Sequence, residues 1–131
     1  MMSNKKKKIL ILTNHSYMLY RFRKELIEEL MKNNEVILSM PFVGHHDDFM
    51  NMGLRCIETK MERRGINPFT DLSLMNFYKK MLKEEKPDLV ITYSIKPNIY
   101  GGLMCSKLKI PFYANVQGLG TAFQKKDLLS L

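Results

Sequence analysis

Three features of the 131-residue sequence predict an α/β domain built on an open parallel sheet. Short continuous apolar runs have the length of strands. Between them lie longer segments whose apolar residues recur at steps of three and four. The two kinds of segment alternate from one end of the chain to the other. A continuous apolar run is the form taken by a strand whose two faces are both covered by helices. Alternation then demands right-handed crossovers that place helices on both sides of the sheet.

Residues 8–13 (KILILT) form the first such run. From Ser16 the pattern becomes helical: Leu19, Phe22, Leu26 and Leu30 fall on one face, with Arg23 and Ile27 between them. The helix is expected to end near Asn33 and Asn34, which tolerate left-handed geometry. Residues 35–40 follow as a second strand stopped by Pro41, and residues 45–53 as a short helix. Residues 55–59 have the alternation of a strand nearer the sheet edge. Asn67 and Pro68 supply a cap and a first-turn proline for a helix to Lys86, carrying Leu74, Phe77, Tyr78, Met81 and Leu82 at helical spacing. Pro87 ends it. Residues 88–93 form a fourth strand, 97–109 a helix containing Gly101 and Gly102, and 111–116 a fifth strand read as buried.

This is a Rossmann-like arrangement with expected strand order 3-2-1-4-5 and helices on both faces. Ligands of such sheets bind beyond the strand carboxyl ends, in the crevice where the order reverses, here between the first and fourth strands. Three loops therefore frame the expected site: residues 13–21, 94–98 and 117–121. Residues 1–131 read as a single domain, although the segment 123–131 breaks off where another helix would begin.

Composition narrows the alternatives. With 45% hydrophobic and 26% charged residues, and only 7 Gly and 5 Pro, the chain is neither disordered nor fibrous. The apolar run behind the basic start is too short for a signal-peptide core or a membrane span. Cys56 and Cys105 have no metal-site or disulfide-framework spacing, so free thiols in a reducing cytoplasm are expected. The excess of 21 Lys and Arg over 13 Asp and Glu, a net charge of +8, favours anionic partners.

The first loop lacks the G-x-G-x-x-G that lets a backbone approach a dinucleotide pyrophosphate, which disfavours nicotinamide or flavin chemistry. It offers instead Asn14 and Ser16 at the amino end of a helix, where the dipole attracts an anion, with His15 inside the crevice. Arg23 falls on the apolar stripe between Leu19 and Ile27, where its charge requires a partner. In the second loop Lys96 and Asn98 are placed to hold an anionic or hydroxylated ligand; the plainer reading makes Asn98 a cap. Gly101 and Gly102 let the helix sit close to the sheet. The third loop, QGLGT, offers Gln117, Gly118, Gly120 and Thr121. Lys60, Arg63 and Arg64 follow the third strand and form a basic contact surface suited to phosphate or a membrane. No motif that would support nucleic-acid binding accompanies them. His45, His46, Asp47 and Asp48 are adjacent on a short helix and cannot converge on one ion, so no metal is expected.

These segments also resemble a known family. The strand KKILILTN at 7–14, Phe22 and Arg23, KPDLV at 86–90 leading to TYS at 92–94, KPNIYG at 96–101, and above all NVQGLGTAF at 115–123 are similar to the amino-terminal domain of family 4 GT-B glycosyltransferases, most of all bacterial capsule and exopolysaccharide enzymes. The resemblance implies a retaining enzyme of two Rossmann-like domains. A nucleotide-sugar donor is held mostly by the second domain, and the first approaches a membrane-associated acceptor, often a polyprenyl diphosphate-linked sugar. No cofactor is implied. The chain contains none of the second domain with its paired-glutamate donor motif, so by resemblance it is an acceptor-side part that would not transfer sugar alone. The expected location is the cytoplasm, peripheral on the inner face of the membrane. The catalytic residues stay unassigned. The competing expectation is a stand-alone flavodoxin-like domain that binds a phosphorylated small molecule and catalyses nothing.

Overall fold

The computed structural model describes residues 7–14, 16–42, 46–59 and 68–115. Its elements are β1 (Lys7–Leu12), α1 (Ser16–Asn33), β2 (Asn34–Met40), α2 (His46–Asn51), β3 (Arg55–Glu58), α3 (Pro68–Glu85), β4 (Leu89–Tyr93), α4 (Gly102–Leu108) and β5 (Phe112–Asn115). A wider, π-helical turn over Pro97–Gly101 leads into α4. The sheet has five strands in the order β3-β2-β1-β4-β5, and every pairing is parallel. Both the expected order and the reversal between β1 and β4 are thus present.

Alternation of side chains along each strand divides the core into two layers. Ile9 and Ile11 of β1, Val36, Leu38 and Met40 of β2 and Tyr93 of β4 pack against Leu19 and Ile27 of α1 and Phe49 of α2. On the opposite face, Leu10, Leu12, Ile37 and Val90 meet Leu74, Tyr78, Met81 and Leu82 of α3 and Met104 and Cys105 of α4. Because β1 is enclosed on both faces, Leu10, Ile11 and Leu12 are all fully buried, which is why the strand reads as one apolar run. Cys56 and Cys105 are free and belong to opposite layers. Burial pushes each thiol up to about 11.

Turn chemistry explains the ends of α3 and α4. Lys86 (φ 50°) takes the left-handed position after α3, its N–H donates to Leu82 O at 3.0 Å, and Pro87 prevents continuation. Lys109 ends α4 in the same conformation. Helix α1 ends at Asn33, where expected, but without the left-handed geometry. Asn33 and Asn34 are not left-handed; α1 passes directly into β2, and the Asn34 side-chain amide donates to Leu30 O at 2.9 Å, taking up an orphan carbonyl of the last turn. Lys8 N donates to Asp88 Oδ2 at 2.8 Å and Asp88 N returns a bond to Lys8 O at 2.8 Å, which aligns the starts of β1 and β4.

The fifth strand requires a correction. Among the described residues it lies at the sheet edge with β4 as its one neighbour, and Phe112, Tyr113 and Ala114 are exposed, so it is not the buried strand its composition suggests. Gly101 and Gly102 do bring the helix close. A Cβ on Gly101 would lie 2.8 Å from Leu12 Cδ1, and one on Gly102 would lie 2.9 Å from Phe112 Cε2. Among the described residues no helix is long and apolar enough to cross a membrane.

Tyr78 is fully buried under the sheet and its hydroxyl has no hydrogen-bond partner. A buried donor left unmade costs about 1–3 kcal/mol, whereas the ring keeps its packing in phenylalanine. Tyr78→Phe should therefore raise stability by about 1 kcal/mol, read as a higher urea midpoint at unchanged slope.

Candidate functional site

Each crossover helix runs back against its strand, so the carboxyl ends of the strands and the amino ends of the helices share one rim. The buried polar residues of the described chain are Thr13, Asn14, Ser39, Thr59, Asp71 and Thr92, and every one lies at that end of the domain. Thr13 and Asn14 follow β1, Thr59 follows β3, Ser39 and Thr92 are the penultimate residues of β2 and β4, and Asp71 is in the first turn of α3. Buried polar groups require partners, and most of these have them. Thr13 N donates to Ser39 O at 3.1 Å, Thr59 N donates to Met40 O at 2.9 Å, and the Ser39 and Thr59 hydroxyls are hydrogen-bonded to each other.

Asn14 is the exception. It is 7% exposed, sits beyond the central strand where the sheet order reverses, and its Oδ1 has no partner. An unmade buried acceptor is costly in an unliganded fold and becomes favourable once a ligand hydroxyl or amide donates to it. Ser16 opens the 18-residue helix α1 beside it, so the positive end of a long helix dipole shares this position. His15 lies outside the described residues.

Arg23 has the partner that its place on the apolar stripe demands. Its guanidinium carbon is 5.8 Å from the ring centroid of Tyr93, the last residue of β4, a cation–π distance. Burial raises the Tyr93 hydroxyl above its ordinary value, and the guanidinium opposes that rise. This contact is on the α1–α2 side of the sheet.

Lys96 and Asn98 belong to the other side. Lys96 Nζ donates to Asp71 Oδ1 at 3.0 Å, and both side chains are largely buried. Tyr100 OH donates to the second carboxylate oxygen at 2.9 Å. The hydrogen bond from Lys96, reinforced by that from Tyr100, holds the Asp71 carboxyl below the ordinary carboxylate range. Asn98 bridges two strands: its Oδ1 accepts from the Thr92 hydroxyl at 2.6 Å and its Nδ2 donates to Asn115 O at 2.7 Å. Asn115 Nδ2 closes the circuit to Thr92 O at 3.4 Å. Ser94, with φ 81°, makes the sharp exit from β4 that permits this arrangement, and its carbonyl accepts from Asn98 N at 2.9 Å.

The first and second loops thus converge on one rim, but through different kinds of residue. Asn14 presents an uncommitted oxygen, whereas the polar ends of Lys96 and Asn98 are engaged within the fold. Gln117, Gly118, Gly120 and Thr121 of the third loop lie outside the described residues, as do Lys60, Arg63, Arg64 and His45. No group of three or more His, Cys, Asp or Glu among the described residues is arranged to hold a metal ion. Sequence reading missed Asp71, Tyr93 and Tyr100. Asp71 is 25 residues from Lys96, and no local pattern signals a pairing across that separation.

Comparison with known proteins places this geometry in a family. The family described as glycosyl transferase 4-like matches residues 8–130. The chain belongs to that family. The N,N'-diacetylbacillosaminyl-diphospho-undecaprenol alpha-1,3-N-acetylgalactosaminyltransferase of Campylobacter jejuni is 30% identical over 107 residues, covering 80% of this chain and 28% of that protein. The chain therefore spans under a third of the length of this relative. A glycosyltransferase from Rickettsia africae superposes with a TM-score of 0.68 at 19% identity, over 93% of this chain and 33% of that one. UDP-GlcNAc 2-epimerase from Methanocaldococcus jannaschii superposes with a TM-score of 0.61 at 21% identity, over 90% and 33%. The two superpositions show the fold alone, and that fold is one Rossmann-like half of a GT-B architecture.

In this glycosyl transferase 4-like domain the Asp71 carboxyl is depressed in the folded state, so it binds its proton less readily folded than unfolded. Its contribution to stability is complete above the ordinary carboxylate range and is lost as pH falls through the depressed value. Asp71→Asn should be less stable than the parent at neutral pH. On acidification below about pH 4 it should lose less stability than the parent, as chemical denaturation across pH would show.

Proposed function

We propose that this domain is the amino-terminal, acceptor-side part of a retaining glycosyltransferase that moves a sugar from a nucleotide-sugar donor onto a lipid-linked or glycan acceptor in bacterial surface polysaccharide synthesis. The observation that carries this reading is the 30% identity over 107 residues with a transferase whose name specifies a diphospho-undecaprenol-linked saccharide. The rim is chemically suited to such an acceptor. The buried oxygen of Asn14 is available to a sugar hydroxyl, and the amino end of α1 at Ser16 favours negative charge nearby. Arg23, over the ring of Tyr93 at the end of β4, adds positive potential for a diphosphate, whereas Lys96 is spent on Asp71.

On this reading the domain works by positioning. A hydroxyl fixed by Asn14 is oriented for displacement at the donor's anomeric carbon, and fixed dipoles and charges offset the phosphate charge without reorganising. Gln117, Gly118, Gly120 and Thr121 are assigned by sequence to substrate binding and Lys60, Arg63 and Arg64 to anion contact, and both groups lie outside the described residues. The donor is bound mostly by that second domain, no cofactor takes part, and the 131 residues alone do not turn over. The site of action is the cytoplasmic face of the membrane.

Titration of the chain with a polyprenyl diphosphate-linked saccharide in detergent, with donor omitted, should give saturable binding. Asn14→Ala should weaken it roughly tenfold, the value of a hydrogen bond to a buried acceptor, with the fold intact by circular dichroism. Equal or better binding of a simple sugar phosphate, with no preference for the lipid-linked saccharide, would favour the stand-alone phosphometabolite binder instead.

A further inference from the structure

Ser94 leaves β4 in the left-handed region, with φ 81°. Glycine takes that conformation freely and Asn or Asp tolerates it, whereas serine is uncommon there. Strain of this kind persists only where the surroundings hold it, and here they do so on both sides. Lys96 is fixed to Asp71 at 3.0 Å, and Asn98 is fixed to the Thr92 hydroxyl at 2.6 Å and to Asn115 O at 2.7 Å. The segment is also seated on the end of β1, since a Cβ on Gly101 would lie 2.8 Å from Leu12 Cδ1.

The usual duty of a serine at such a place is not performed. Helical geometry begins at Ile95, which makes Ser94 the capping residue, and its carbonyl accepts from Asn98 N at 2.9 Å. A capping hydroxyl accepts from the N–H of the second or third helical residue. The third is Pro97, which has no N–H, and no hydrogen bond joins the Ser94 hydroxyl to another described residue. The hydroxyl is therefore held in a strained turn without an internal use.

Beta strands β1 and β4 pair in register, with Leu12 opposite Thr92. Two residues further on, Asn14 and Ser94 stand at the same level on either side of the reversal. Neighbouring strands are about 4.8 Å apart, a span that one oxygen bridges with two hydrogen bonds of about 2.8 Å. Asn14 Oδ1 can only accept, whereas a serine hydroxyl can also donate. An acetamido N–H would satisfy Asn14 alone, and an ionised phosphate oxygen would satisfy Ser94 alone. A sugar hydroxyl satisfies both. We propose that Ser94 is a second saccharide-binding residue, and that one sugar hydroxyl donates to Asn14 Oδ1 while accepting from the Ser94 hydroxyl. The inference rests on the acceptor site proposed above and specifies which group of the ligand that site reads.

Titration with a polyprenyl diphosphate-linked saccharide in detergent, and in parallel with the same polyprenyl diphosphate lacking the sugar, reads the two parts of the ligand separately. Ser94→Ala and Ser94→Gly should each weaken saccharide binding roughly fivefold and leave binding of the bare polyprenyl diphosphate unchanged. Glycine takes φ 81° without strain, so Ser94→Gly should hold or raise the urea midpoint while binding falls, an outcome that a purely structural serine does not give. Because one hydroxyl is shared, Asn14→Ala combined with Ser94→Ala should weaken binding by clearly less than the product of the single effects. The proposal is overturned if both Ser94 variants bind the saccharide like the parent, if they lose the bare diphosphate equally, or if the double variant gives the full product. A parent chain that does not bind the saccharide saturably overturns the proposed function and this inference with it. Failure confined to the Ser94 variants leaves Asn14 and the function standing.

Discussion

The parallel pairing of β1 with β4, Leu12 opposite Thr92, is the constraint from which the rest of the domain follows. It joins two crossover units that wind in opposite directions along the sheet, one through α1 and α2 and the other through α3 and α4. Helices must then cover both faces, and Leu10, Ile11 and Leu12 of β1 lose contact with water on both. At their carboxyl ends the chain leaves β1 and β4 toward opposite faces. In open sheets of this topology such a reversal is where ligands bind.

What lies at that reversal is set by the cost of burying polar groups. Thr13, Ser39, Thr59 and Thr92 sit where strands end and backbone pairing runs out, and each finds a partner in a neighbouring strand or turn. The Asn98 bridge from Thr92 to Asn115 makes the second loop a rigid brace for the edge strand β5. The Asp71–Lys96–Tyr100 cluster does the same between α3 and the α4 segment. Among the described residues, rigidity on that side leaves Asn14 Oδ1 as a buried rim acceptor without a partner. A site that must orient an incoming hydroxyl gains from such a division, because the acceptor atom is held by a frame that does not yield when the ligand arrives.

The fold itself is a poor guide to chemistry. The same half-architecture superposes on a glycosyltransferase and on a UDP-GlcNAc 2-epimerase with similar scores. Discrimination between such activities resides in the residues placed at the rim and in the domain that faces it. The family match over residues 8–130 carries information that the superpositions do not, because it depends on the amino-acid sequence and not on the backbone path alone.

Local pattern was enough to read most of this domain from its sequence. Strand and helix periodicities, the prolines at 41, 87 and 111 and the alternation of element types gave the element order, and the crossover rule turned that order into 3-2-1-4-5. The place of Asn14 on the rim was legible because it is defined by chain position alone, between a buried strand and a helix start. The need of Arg23 for a partner was legible from helical spacing, but the partner was not: Tyr93 lies 70 residues away and meets it only because β4 pairs with β1. The same limit hid Asp71, which neutralises a lysine brought to it by the packing of α3 against the α4 segment. It also misjudged β5, since Phe-Tyr-Ala-Asn suits either a covered strand or an open edge, and only the count of neighbouring strands separates them. Periodicity and chain order are properties of neighbours in sequence. Charge pairing and edge exposure are properties of neighbours in space, and only the tertiary packing brings those together.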